Sequence, residues 1–189
     1  PFKSSDEPSP TDLYGSSKLE AEIGLKKISS ETGMQLTIIR PPLVYGPKVR
    51  GNFKILQRLI EIGIPLPFKK IDNLRSIVSV ENLISLIICC LENSKASNKI
   101  FLVSDDHDLS LTDILIQLSN AAKKKPRLFY FPLSIISFFF QVIGYNDLLQ
   151  KFLGNLQVDI EYTKSVLNWY PPISVKKGFE KCFFNDSIY

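Results

Sequence analysis

The 189-residue chain has one histidine, three cysteines and one methionine, and each scarcity removes a class of chemistry or context. His107 stands alone in the polar run SDDHD, which leaves no histidine set for a metal site and no Ser-His-Asp arrangement within these residues. Cys89 and Cys90 are adjacent in an apolar stretch and Cys182 is remote, so neither a disulfide framework nor a zinc-ligand spacing is present. That usage suits a reducing cytoplasm. The nine glycines contain no G-x-G-x-x-G run, so none of the turns is built to cradle a dinucleotide pyrophosphate. The single methionine is Met34, and the chain opens on PFKSSDEPSPTD, a polar stretch better suited to a loop than to a beginning. The expectation is the C-terminal part of a longer polypeptide.

Charge of one sign is also in short supply. A net charge of +4 is small for this length, and the densest basic run, KKKPR at 123–127, follows an apolar-periodic helix. It reads as a solvated helix end that complements the helix dipole, and no nucleic-acid partner is expected without a wider basic stripe interleaved with aromatics. The longest apolar stretch, LFYFPLSIISFFFQVIGY at 128–145, is divided by Pro132 into a strand-like piece and a helix of about a dozen residues, too short to cross a bilayer. A buried or ligand-covering helix is the favoured reading, and membrane-surface attachment through 133–143 is the weaker one.

What is present is an alternation of strands and helices in a chain that is 44% apolar. Residues 11–32 suit a helix closed by Gly33, MQLTIIR a strand covered on both faces, and PPLVYGP a loop. A helix over about 52–62 carries Phe53, Leu56, Leu59 and Ile60 on one stripe, and IPLPF is extended. RSIVSV reads as a strand, ENLISLIICCLEN as a helix apolar nearly all round and hence buried, and KIFLVS as the next strand. Ser110 and Asp113 form a capping box ahead of a helix, and short helices are expected near 147–153, 161–168 and 174–184. Such alternation indicates an α/β domain with a largely parallel sheet.

The chemistry-bearing stretch is LYGSSKLEAE, where Tyr14 and Lys18 share one helix face. An ammonium beside a phenol oxygen stabilises the phenolate, so the pair is an acid/base candidate for a sugar hydroxyl or ketone. On spacing alone, two solvent-facing neighbours explain the motif as well.

Four segments in order, YGSSK, IIRPPLVYGP, RSIVSVENL and VDIEYTKSVLNWYPPISVKKGFEK, resemble the C-terminal half of an extended short-chain dehydrogenase/reductase of the nucleotide-sugar epimerase/dehydratase branch. The NFKILQRLIEIGIPLPF and NLRSIVSVENLI wording is similar to bacterial enzymes acting on UDP-N-acetylhexosamines for polysaccharide synthesis. The resemblance implies an α/β fold: residues 1–104 would be the C-terminal part of a Rossmann-type NAD(P)-binding domain, with a substrate-loop insertion at about 48–74. Residues 105–189 would form a small, mostly helical substrate-binding domain. It implies NAD or NADP as cofactor, bound by Tyr14, Lys18, Pro41 and Pro42, with Tyr14 and Lys18 catalytic. It also implies a UDP-sugar substrate contacted by Leu43, Asn52, Arg75 and, more weakly, Lys151.

Leu43 departs from the family's frequent asparagine and Ser79 from its frequent histidine. Trp169 and Tyr170 are expected to pack the terminal helix. The parent enzyme would move a hydride at C4 of the sugar as a 4-epimerase or 4-ketoreductase, and would pair into a homodimer through the helix at 11–32. The present residues alone would be inactive and prone to associate through the MQLTIIR edge. The competing reading is a catalytically silent scaffold or redox-sensing module.

Overall fold

The computed structural model describes residues 1–183 apart from 50, 143 and 145, so the predicted end of the last helix at 184 lies outside the described residues. Helix α1 (Leu13–Thr32) starts at Asp12, whose carboxylate accepts from the Gly15 N–H at 2.7 Å, and stops at Gly33 with φ 74°. An extended carboxylate cap and a left-handed glycine are the two local devices that bound it. Strand β1 (Thr37–Arg40) pairs in parallel with β4 (Lys99–Leu102), Thr37 opposite Lys99. Strand β2 (Leu43–Tyr45) pairs in parallel with β3 (Ile77–Ser79), Leu43 opposite Ile77. Parallel pairing requires crossovers. Helix α2 (Asn52–Ile62) lies between β2 and β3, and α3 (Val80–Glu92) between β3 and β4.

PPLVYGP therefore holds a strand where a loop was expected. Pro41 and Pro42 interrupt the ladder after β1, but the φ of proline favours extended backbone, and the chain re-enters a sheet after these two residues.

Helix α4 (Leu111–Ala121) begins at the expected capping box. The Ser110 side chain accepts from the Asp113 N–H at 3.0 Å, and the Asp113 carboxylate accepts from the Ser110 N–H at 3.1 Å. The basic run after it serves another helix. The Lys124 ammonium donates to the Glu61 carbonyl and the Arg127 guanidinium to the Gly63 carbonyl, so both cations meet the carboxyl end of α2 rather than of α4. Four more helices follow among the described residues: α5 (Leu133–Val142), α6 (Asn146–Leu153), α7 (Glu161–Leu167) and α8 (Val175–Lys181).

Two apolar cores draw on residues from both sides of position 104. One joins Val78, Leu86, Phe101 and Val103 to Ile160, Leu167 and Trp169. The other joins Tyr45, Phe53, Leu56 and Ile77 to Leu111, Leu115, Leu118 and Phe179. Trp169 is packed, but in the first of these cores with Leu86 of α3 rather than in the second, which holds Phe179 of the terminal helix; its indole N–H donates to the Ser85 hydroxyl at 3.1 Å, whereas Tyr170 is exposed.

The expected burial of α3 and α5 does not hold among the described residues. In α3 only Asn82 and Leu86 are buried, while Ile84, Ile87, Ile88 and Leu91 face outward. An all-round apolar helix needs packing on every side, and β3 with its surroundings covers one face only. In α5 only Ile136 is buried.

Helix α8 lies against β2 because position 178 has no side chain. A Cβ there would stand 2.4 Å from the Tyr45 hydroxyl and 3.0 Å from two of its ring carbons. Tyr45 and Phe179 stack with centroids 4.6 Å apart across this contact. Gly178→Ala is expected to cost about 1–3 kcal/mol of stability through overpacking, read from a urea midpoint, with no change in far-ultraviolet helix content.

Candidate functional site

Helix α1 buries none of its residues, so its orientation is fixed by polar ties. Tyr14, Lys18 and Glu22 recur every four residues and form one stripe. At its lower end Glu22 accepts two hydrogen bonds from the Arg40 guanidinium, at 2.9 and 2.7 Å. This fork, with some opposition from desolvation, holds the Glu22 carboxyl below and the Arg40 guanidinium above their ordinary ranges. Arg40 ends β1 and Pro41–Pro42 follow directly, so the stripe is registered over the carboxyl end of that strand.

Tyr14 is 71% exposed, and the Lys18 ammonium lies 5.3 Å from the centroid of its ring. The sequence reading placed that ammonium at the phenol oxygen. Here it sits against the π face, the position favoured by the ring quadrupole when no hydrogen bond is formed. Lys18 makes no ion pair among the described residues. The cleft of about 280 Å³ between α2 and the segment after α4 is lined by none of the predicted site residues.

Arg75 is the most unusual side chain. It is 8% exposed and desolvation lowers its pKa, yet no carboxylate pairs with it among the described residues. Its Nη1 donates to the Gly154 carbonyl at 2.5 Å, and its Nε is buried without a partner. Its backbone is clamped on both sides, exchanging hydrogen bonds with Leu109 at 3.0 and 2.9 Å, while Ser76 and Leu74 bracket Leu156. A buried cation without a counterion is costly, and desolvated donors favour an anion.

The other predicted residues are distributed around this frame. Leu43 opens β2 and packs partly buried on the larger core, and Asn52 is the first residue of α2 after Gly51 at φ 80°. Lys151, on α6, forms an ion pair with Asp12 at 2.8 Å. Asp12 thus caps the helix bearing Tyr14 while holding α6, and α6 ends at the Gly154 carbonyl that receives Arg75. These hydrogen bonds, led by that to Lys151, lower the Asp12 pKa. The contacts connect Tyr14, Lys18, Lys151 and Arg75 through two helices, and they do not connect Asn52 to that group.

Three residues that support the site were not singled out from the sequence. Asp12 had a readable signal, an aspartate just before a helix. Asn73 is buried, donates to the Phe152 and Gly154 carbonyls at 2.9 and 3.3 Å and accepts from the Leu111 N–H at 2.9 Å. Asp105 accepts from the Tyr45 hydroxyl at 2.6 Å, the Ser79 N–H at 2.9 Å and the Asn82 amide at 2.7 Å. In sequence Asp105 is one of several polar residues in a loop-like run, and nothing marks it as the buried one.

Comparison with known proteins gives a consistent result. The family model described as "NAD dependent epimerase/dehydratase family" matches residues 1–104. The chain is 43% identical over 182 residues to the UDP-glucose 4-epimerase of Vibrio cholerae, covering 96% of this chain and 56% of that protein. It is 30% identical over 118 residues to the N-acetyl-alpha-D-glucosaminyl-diphospho-ditrans,octacis-undecaprenol 4-epimerase of Escherichia coli O157:H7, covering 61% of this chain and 36% of that protein. The UDP-glucuronic acid 4-epimerase of Bacillus cereus, solved in complex with NAD, matches the fold with a TM-score of 0.74 at 21% identity, covering 95% of this chain and 52% of its own. The chain therefore spans about half the length of the first and third of these relatives and 36% of the second. A match across more than half of its own residues, on the parallel strands and the Tyr14 helix just described, makes it a member of the NAD dependent epimerase/dehydratase family.

Proposed function

We propose that the protein is a nucleotide-sugar 4-epimerase that acts on a UDP-hexose with NAD as cofactor. The observation that carries this reading is Arg75, a desolvated guanidinium with an unpartnered Nε and no described carboxylate, which suits a substrate diphosphate. The 43% identity to a UDP-glucose 4-epimerase supports the reaction class.

Residues that fit the nicotinamide end of a dinucleotide are present. Lys18 has no acidic partner among the described residues, and Tyr14 and Pro41 are open to solvent at the carboxyl end of β1. Tyr14, Lys18, Pro41 and Pro42 would hold that end. Bound there, the cofactor supplies the hydride acceptor and donor for C4.

Tyr14 takes the C4 hydroxyl proton on oxidation and returns it on reduction, and Lys18 places positive charge beside the phenol while the proton is away. Arg75 orients the diphosphate, Asn52 and Leu43 are assigned to the substrate by the family resemblance alone, and Lys151 holds the start of α1 through Asp12. Residues 1–104 carry the cofactor side of this reading, and residues 105–189, with the segment at about 48–74, the sugar-nucleotide side. The 20 residues of α1, none of them buried, leave Ile23 and Ile28 available for pairing in a homodimer, and three free cysteines suit the cytoplasm.

The test uses the full-length protein with NAD and UDP-glucose, UDP-galactose and their N-acetylated counterparts, following C4 configuration by proton resonance. Interconversion of one pair is expected, and UDP binding without turnover on any pair would favour a silent scaffold instead. Arg75→Met is expected to weaken UDP binding by about 10- to 100-fold. The same variant should unfold at a higher temperature, with a gain of about 1 kcal/mol, because it removes a buried unpaired charge. The Gly154 carbonyl keeps the Asn73 donor. Weaker binding with lower stability would assign Arg75 to structure alone.

A further inference from the structure

Helix α5 has two apolar faces, and one of them meets protein among the described residues. Ile136, 3% exposed, and Phe140 pack inward on the larger core. Ile135, Phe138, Phe139 and Val142 point outward at 47, 65, 66 and 69% exposure. Their spacing of three, four and seven residues is that of a single helical stripe.

The segment leading into α5 extends the patch. Phe129, Tyr130, Phe131 and Leu133 are all exposed, and the rings of Phe129 and Phe131 meet edge to face at 6.3 Å. Soluble monomers rarely leave so continuous an apolar surface without a use for it.

The charge around the patch identifies what it meets. From Lys123 to Gly144 the sequence contains no aspartate or glutamate, and α5 itself contains no charged residue. Lys123 and Lys125 are exposed just before the aromatic segment. On its other side Lys69 donates its backbone N–H to the Phe129 carbonyl at 3.2 Å, which brings the exposed side chains of Lys69 and Lys70 to the same edge. An apolar, aromatic stripe rimmed by lysines, on a segment that itself carries no carboxylate, is the composition of a helix that lies in the plane of an anionic bilayer.

At 10 residues α5 is about 15 Å long, half the hydrocarbon thickness, and none of the described helices is long and apolar enough to cross a membrane. We propose that the outward face of α5, with the Phe129–Leu133 segment and the Lys69, Lys70, Lys123 and Lys125 rim, docks the protein onto the surface of an anionic lipid bilayer. The docking does not depend on which reaction the protein catalyses. It restores the membrane-surface reading that the sequence ranked below a buried helix, for the reason that α5 is not buried.

Full-length protein is sedimented with vesicles of phosphatidylcholine alone and of phosphatidylcholine with about 30 mol% phosphatidylglycerol, which gives the second set a negative surface potential. Binding to the anionic vesicles is expected, falling as salt is raised. Phe138→Glu with Phe139→Glu should lower the bound fraction at least about 10-fold, since two rings are lost from the interface and two repelled charges are added. Both positions are exposed, so the unfolding midpoint should stay within error of the parent. Phe138→Trp provides a second readout, a blue-shifted emission on anionic vesicles only. Protein that stays in the supernatant with both vesicle types, or a double variant that sediments as well as the parent, would overturn the proposal. So would loss of a dimer on gel filtration in the double variant with no lipid binding by the parent, which would assign the stripe to a second copy of the chain.

Discussion

Replacing Tyr14 by phenylalanine in the full-length protein is expected to lower turnover by about 10²- to 10⁴-fold, the range supplied by a positioned acid or base. The ring stays, and with it the surface on which the Lys18 ammonium rests at 5.3 Å, so the first turn of α1 and its Asp12 cap should be unaffected. UDP binding should change less than about 2-fold, because Arg75 carries no described contact to α1 other than through α6. A loss confined to kcat identifies a group needed only when the proton moves. Equal losses in UDP affinity and turnover, or turnover unchanged, would remove Tyr14 from the chemistry. Lys18→Met tests the same idea from the other side: it should reduce turnover, and the reduction should not add to that of Tyr14→Phe, since both act on one proton.

The largest effect on stability is expected at Asp105. Its carboxylate receives three hydrogen bonds, from elements that are otherwise separate: Tyr45 on β2, and Ser79 and Asn82 at the start of α3. Asn82 extends the set to the segment before α8, donating to the Ile173 carbonyl at 2.8 Å and accepting from the Ile173 N–H at 2.9 Å. Asp105→Ala strands buried donors on three residues and should cost about 3–5 kcal/mol, seen as a large drop in urea midpoint. Asp105→Asn should cost only about 1 kcal/mol. Its carbonyl keeps the Ser79 and Asn82 bonds, and its amide faces a tyrosine oxygen able to accept. Equal losses in the two variants would show that the carboxylate charge, rather than an acceptor of the same shape, is what position 105 provides.

The acid response at this residue has a definite sign. Burial raises the Asp105 pKa, in spite of the three donors that lower it. A carboxyl raised in the folded state penalises folding above its folded pKa, and the penalty is relieved as the pH falls through that value. Glu22 and Asp12 are lowered instead, so their stabilisation is present at neutral pH and lost as the pH falls through their folded values. Comparing the parent with Asp105→Asn isolates the first effect. The stability difference between them should shift toward the parent on acidification, before the losses at Glu22 and Asp12, which are common to both.

Local signals in the sequence were sufficient for much of the fold. Gly33, the Ser110–Asp113 box and the Phe53, Leu56, Ile60 stripe are short-range devices, and each falls where its physics requires. Strand β2 was missed because two prolines read as a break, although their preferred backbone is extended. The burial of α3 and α5 was misjudged for a different reason. Composition reports how apolar a helix is, and the number of its faces covered by protein depends on tertiary placement. At the site, the motif could name Tyr14 and Lys18 but not the position of an ammonium relative to a ring. The same limit applies to Asp105, whose burial is set by β2, α3 and α8 arriving at one point from distant parts of the chain.

Asp12 gives this arrangement an unforeseen mechanical property. One carboxylate grips both the first turn of the helix that carries the phenol and a lysine three residues short of the carbonyl that seats the guanidinium. The helix of the phenol and the segment that seats the guanidinium are thus joined through one partly solvent-exposed carboxylate, a compliant tie rather than a rigid joint.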